Sequence, residues 1–175
     1  MNLNQLFLDA AAPYADQEKA IWKRSYLKST LPVLGVSNPD VHKLVRHIYT
    51  MYQAESPEEF AATIRSSFGQ VRYREEWYAI IEWAALHKQF LIPEHNDLFI
   101  FMIRQTQWWD TVDVIAPYLI GRSLLKSDER EKRLLAMMQD DDLWVRRASL
   151  IAQLYYKNAT DQNLLAQLIL SAAHE

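Results

Sequence analysis

The sequence has no cysteine, so disulfides and thiolate zinc sites are excluded and a cross-linked extracellular scaffold is a poor fit. Only three glycines occur among 175 residues, and the turn dipeptides that close β-hairpins are missing, which argues against a sheet protein. No apolar run approaches the roughly 18 residues of a membrane span, and Met1-Asn2-Leu3-Asn4-Gln5 lacks a basic leader region. A soluble protein with no membrane partner is expected, and with no disulfides its expected home is the cytoplasm. A surplus of positive charge is also missing. The net charge is −3, so the chain as a whole has no pull toward nucleic acid, and any DNA-binding surface must come from local segregation of basic side chains. Glycine-rich phosphate loops and nucleophile elbows are absent. His42 and His47 lie on different helix faces and do not suit a zinc ion, so no metal site is expected.

Helical punctuation is abundant. Half of the residues are hydrophobic, enough for one domain, 1–175, with a substantial core. Asn2 to Ala11 reads as a short helix, and Asp16 caps a longer one through Ile21, Trp22 and Tyr26 to about Lys28. Leu31-Pro32-Val33-Leu34-Gly35-Val36 is an apolar connection broken by its proline and glycine. Ser37-Asn38-Pro39 opens a helix through Leu44, Ile48 and Tyr52. Ser56-Pro57-Glu58-Glu59 is a capping box for a helix reaching toward Phe68. Later helices are predicted to begin near Val71, His95, Trp108, Ser127, Asp142 and Thr160. Alternate starts near Asn38, Val71, Trp108 and Asp142 recur about every 35 residues, the length of one helix-pair repeat. The expected class is therefore all-α, as stacked helix pairs or, alternatively, an irregular bundle.

Three stretches carry chemistry. In Gln107-Trp108-Trp109-Asp110-Thr111-Val112-Asp113-Val114-Ile115, the helical wheel puts Trp108, Val112, Ile115 and Leu119 on a core stripe. Trp109, Asp113, Ala116 and Ile120 form the neighbouring stripe, with a carboxylate one turn from an indole. The plain alternative is ordinary packing, with acidic residues stabilised in the first turns of a helix. Arg147 shares a stripe with Leu143, Leu150 and Leu154 and needs an anion, either a structural carboxylate, for which Asp113 is a candidate, or a phosphate. In Lys23-Arg24-Ser25-Tyr26-Leu27-Lys28, basic and aromatic residues interleave at a helix end, as in backbone contacts to nucleic acid or simply a solvated terminus. Asp140-Asp141-Asp142 reads as a loop ending in an N-cap rather than a cation site.

Tyr26-Leu27-Lys28 with Leu31 to Val36, Trp108-Trp109-Asp110-Thr111-Val112-Asp113 with Pro117 and Gly121, Trp144-Val145-Arg146-Arg147-Ala148, and Tyr156-Lys157 together resemble the DNA alkylation repair family. These are HEAT-like repeat alkylpurine DNA glycosylases of the AlkD type. The blocks follow the family's order and spacing from about residue 20 onward. The resemblance implies a HEAT-like superhelix of antiparallel helix pairs with a concave DNA-binding face. It also implies hydrolysis of the glycosidic bond of N3- or N7-alkylated purines in duplex DNA by a monomer without cofactors, acting on the bacterial nucleoid. Asp113 would stabilise the oxocarbenium-like sugar and Trp109 would offer an electron-rich face to the cationic nucleoside. Tyr26 and Arg147 would contact the backbone near the lesion. Lys28 and Lys157 would be more peripheral contacts, and the basic Arg24 is expected on the same face. Relatives continue past the segment matching Leu164 to Ser171 into another helical pair with a further tryptophan and arginine, whereas this sequence ends at Glu175. The competing expectation is a non-catalytic repeat protein that binds structured DNA or a protein partner.

Overall fold

Short polar side chains that accept a backbone N–H start most of the helices. In the computed structural model, which describes residues 2–173, Asn2, Asp16, Ser37, Ser56, Asp142 and Asp161 each accept an N–H of the first turn. Among the described residues there is no strand, and the all-α expectation is borne out. The chain divides into two compact units, Met1–Lys88 and Gln89–Glu175.

The first unit holds α1 (Leu3–Ala11), α2 (Gln17–Tyr26), α3 (Asn38–Met51), α4 (Pro57–Phe68) and α5 (Arg74–Leu86). Phe7, Val45, Ile48, Phe60, Ile64, Ile80 and Trp83 are fully buried between them. α5 begins three residues later than the Val71 expected. Its start is set not by a short polar cap but by Glu76, whose carboxylate turns back to accept the N–H groups of Arg72 and Tyr73, both at 2.7 Å. The neighbouring Glu75 is fully buried and accepts from Leu34 and Gly35, both at 2.9 Å, which ties the apolar connection to α5. α2 differs from the other long helices in burying none of its residues. It lies against Gly35, where φ is +83° and an added Cβ would stand 2.0 Å from the Asp16 carbonyl.

The second unit holds α6 (Asn96–Thr106), α7 (Trp109–Ile115), α8 (Arg122–Leu124), α9 (Arg130–Met138), α10 (Leu143–Ile151) and α11 (Gln162–Ala172). Between α7 and α8 the helix continues without a break as a π-helical stretch, Ala116–Gly121. Pro117 has no N–H to return to the residue 113 carbonyl, and the chain widens there instead of breaking. The expected starts near His95, Ser127 and Thr160 move to Asn96, Arg130 and Gln162. The predicted repeat is present, with α3, α5, α7 and α10 beginning at Asn38, Arg74, Trp109 and Leu143. Within the units α3 packs on α5 and α7 on α10.

Two wheel readings change. Val112, Ile115 and Leu119 are buried as expected, but so are Ala116 and Ile120, so the Trp109 and Asp113 stripe faces outward only in its first turns. Leu143 and Leu154, which flank Arg147, are 62% and 60% exposed. That stripe faces solvent rather than core.

Candidate functional site

In the second unit, α7 and α10 run side by side in the same direction, in register. Trp108 meets Trp144 with ring centroids 6.0 Å apart. Next along both helices, Arg147 donates to Asp113 from Nε at 2.8 Å and from Nη2 at 2.7 Å. Further on, Tyr118 meets Tyr155 at 4.9 Å, and the Tyr156 hydroxyl donates to the Gly121 carbonyl. Gly121 allows this last approach, because an added Cβ would lie 2.2 Å from the Ala152 carbonyl. The buried faces of α7 and the π stretch leave Trp109, Asp113, Tyr118 and Arg122 on the side away from the core.

The Asp113–Arg147 pair is a fork-to-carboxylate contact, the strongest geometry available to these groups. Its hydrogen bonds to Asp113 hold the Arg147 guanidinium above its ordinary pKa, with burial working weakly against them. The Asp113 and Arg147 side chains nevertheless remain 35% and 43% exposed. A carboxylate has about four lone-pair positions, of which the fork occupies two. The others are available to water or to a cation in front of the helix. Trp109, one turn earlier, is 41% exposed. Of the two anions considered for Arg147, the protein itself supplies the carboxylate of Asp113, while Nη1 takes no part in that fork.

The remaining expected residues are placed individually. Lys157 is exposed in a short turn after α10, with φ +53°. Arg24, Tyr26 and Lys28 belong to the first unit, at the end of α2, where all three are exposed and Lys28 has φ +48°. The helix stops at Tyr26, short of the Lys28 expected. Trp22, not among the expected contacts, stacks on Tyr26 at 5.2 Å with the rings 5° from parallel. Also unexpected is the Tyr118, Tyr155 and Arg122 cluster. Its signal in sequence is the repeat offset: the two tyrosines stand about one repeat apart, as do Trp108 and Trp144. Asp142 accepts from the Trp144 N–H at 2.8 Å, so the acidic run does end in a cap. His42 and His47 are exposed, and His42 lies 3.2 Å from Glu82. Among the described residues no three His, Asp or Glu side chains are gathered in a way that would hold a metal ion.

Residues 9–175 match the family model described as DNA alkylation repair enzyme. A solved structure, of a predicted DNA alkylation repair enzyme from Enterococcus faecalis, resembles this chain with a TM-score of 0.79 and 25% identity. The likeness covers 89% of this chain and 73% of that one. Among curated proteins none matches.

Proposed function

The chain belongs to the DNA alkylation repair enzyme family, and we propose that within it this protein is a glycosylase that removes N3- or N7-alkylated purines from duplex DNA. The observation that carries the reading is the forked Asp113–Arg147 pair, which fixes a solvent-facing carboxylate one turn after an exposed indole. An alkylated purine is already cationic. When the bond from sugar C1′ breaks, its electron pair stays with the base and neutralises that charge, so no strong acid is needed. The barrier then lies in the positive charge left on the sugar, and groups placed where that charge develops lower it most. Asp113, held in place by Arg147, faces that charge and accepts a hydrogen bond from the water that adds to C1′. As the new C–O bond forms, the proton of that water passes to the Asp113 carboxylate and from there to solvent. Trp109 offers its ring face to the cationic nucleoside, a contact of about 0.5 to 2 kcal/mol depending on desolvation.

Arg147 has a double role in this reading. Its fork orients Asp113, and Nη1 is the group left to meet a phosphate. Arg24, Tyr26, Lys28 and Lys157 contact the duplex backbone away from the reacting sugar. The protein acts as a monomer on the bacterial nucleoid. The deciding measurement is release of methylated purines from alkylated duplex DNA under single-turnover conditions. Asp113→Asn is expected to lower that rate by two or more orders of magnitude, about 3 kcal/mol of transition-state stabilisation, while binding undamaged duplex as the parent does. A parent protein that binds duplex but releases no base would refute the glycosylase reading.

A further inference from the structure

Arginines in the second unit are nearly all occupied. Arg104 pairs with Asp140, Arg130 with Asp161, Arg133 with Glu129, and Arg147 with Asp113. Arg146 donates to the carbonyls of Asp140 and Asp141. Arg122 is the exception. It is exposed, and among the described residues no carboxylate or carbonyl accepts from it. Its guanidinium instead lies 5.0 Å from the centre of the Tyr118 ring, and Tyr118 is braced in turn by Tyr155 at 4.9 Å. A ring face restrains a guanidinium without consuming its N–H donors, so all five remain for an incoming anion.

We propose that Arg122, held by the Tyr118–Tyr155 pair, is a phosphate-binding site for the DNA backbone beyond the reaction centre. The inference rests on the DNA reading above. Asp113 meets Arg147 of α10, Tyr118 meets Tyr155 just after α10, and Arg122 packs on Tyr118, so Asp113 and Arg122 are linked along one flank of the continuous helix. Nine positions separate them, at most about 13 Å at the α-helical rise of 1.5 Å per residue, since the π stretch between them rises less steeply. Arg122 therefore meets the backbone away from the damaged base and carries no information about the lesion. It adds affinity for any duplex, damaged or not. Planar, forked and permanently charged, arginine suits a phosphate in a way that the exposed lysines nearby do not.

The test is a salt titration of duplex binding by the full chain, on undamaged and on alkylated DNA. Each phosphate contact contributes about 0.9 to the slope of log affinity against log salt. Arg122→Gln is expected to lessen the slope by about that amount, equally on both DNAs. Arg133→Gln, which removes an arginine already paired with Glu129, is expected to leave it unchanged. Tyr118→Phe keeps the ring and should match the parent, whereas Tyr118→Leu should behave like Arg122→Gln. An Arg122→Gln protein that binds duplex with the parental slope overturns this site and leaves the glycosylase reading standing. A Tyr118→Leu protein with the parental slope overturns the orienting role of the ring. A parent protein that binds no duplex at all overturns both readings.

Discussion

In the proposed reaction the Asp113 carboxylate would meet two demands at once, as partner of Arg147 and as the group facing the scissile bond, and its exposure says how they divide. A fully buried ion pair would make its loss cost about 3 to 5 kcal/mol. Here both side chains are more than a third exposed, solvent screens the pair, and its contribution falls to about 0.2 to 1 kcal/mol. Asp113→Asn is therefore expected to lower the melting temperature by no more than about 4 °C. A much larger drop, with the excision rate retained in the folded fraction, would mark Asp113 as structural. His87 makes the opposite case, because it is fully buried. Its Nε2 accepts the Ala54 N–H at 2.9 Å, which places the ring proton on Nδ1, donating to the Trp83 carbonyl. Burial holds its pKa below the usual 6.5. The unfolded chain thus takes up a proton that the folded chain refuses. The stability His87 contributes is complete above pH 6.5 and is lost as pH falls below it toward the folded value. Melts taken from about pH 7.5 down to about pH 5 should decline, and the His87 ring resonances should titrate below 6.5 in the folded protein. A ring that protonates at or above that value would disprove the assignment.

Among the elements, the continuous helix from α7 through the π stretch to α8 is where sequence reading succeeded and failed most sharply. The start at Trp109 and the buried Val112, Ile115 and Leu119 follow from spacing alone. So do the helices that begin with a capping Asp or Ser, because the cap is a local interaction between neighbours in the chain. Ala116 and Ile120 lie in the π stretch and are buried, and a wheel drawn at one fixed angle per residue does not follow the chain there. The true start of α5 escapes for a different reason, since Glu76 does from inside the helix what a short cap does from outside. Asp113 and Arg147 stand out by type and position, and Asp113 is legible as a structural partner for Arg147, but their pairing across 34 residues is fixed only once α7 and α10 lie in register. Gly121 sets that register. Gly121→Ala would drive a methyl group into the Ala152 carbonyl, with 2.2 Å available, and the helices would have to part. The expected loss is about 1 to 3 kcal/mol, as for other overpacked sites. Base release should fall as the fork at Asp113 loosens. An alanine variant with parental stability would mean the contact yields easily and does not fix the site.

For the molecule as a whole, the net charge of −3 means that DNA binding must be carried by a few placed cations against a mildly repulsive background. The candidate set is small: Arg24 and Lys28 in the first unit, and Arg122, Arg147 and Lys157 in the second. Each phosphate neutralised contributes about 0.9 to the salt slope, so four or five contacts give a slope of about −3.6 to −4.5. Affinity should then fall roughly 150- to 500-fold between 50 and 200 mM salt, since the salt changes fourfold. The two units make the prediction sharper. If each grips the same duplex, the double substitution of Arg24 and Lys28 and the double substitution of Arg122 and Lys157 should each lower the slope by about 2, and all four together by about 4. If only the second unit binds DNA, the Arg24 and Lys28 pair will leave the slope untouched. The exposed Trp22 and Tyr26 stack on α2 would then have to serve some other partner.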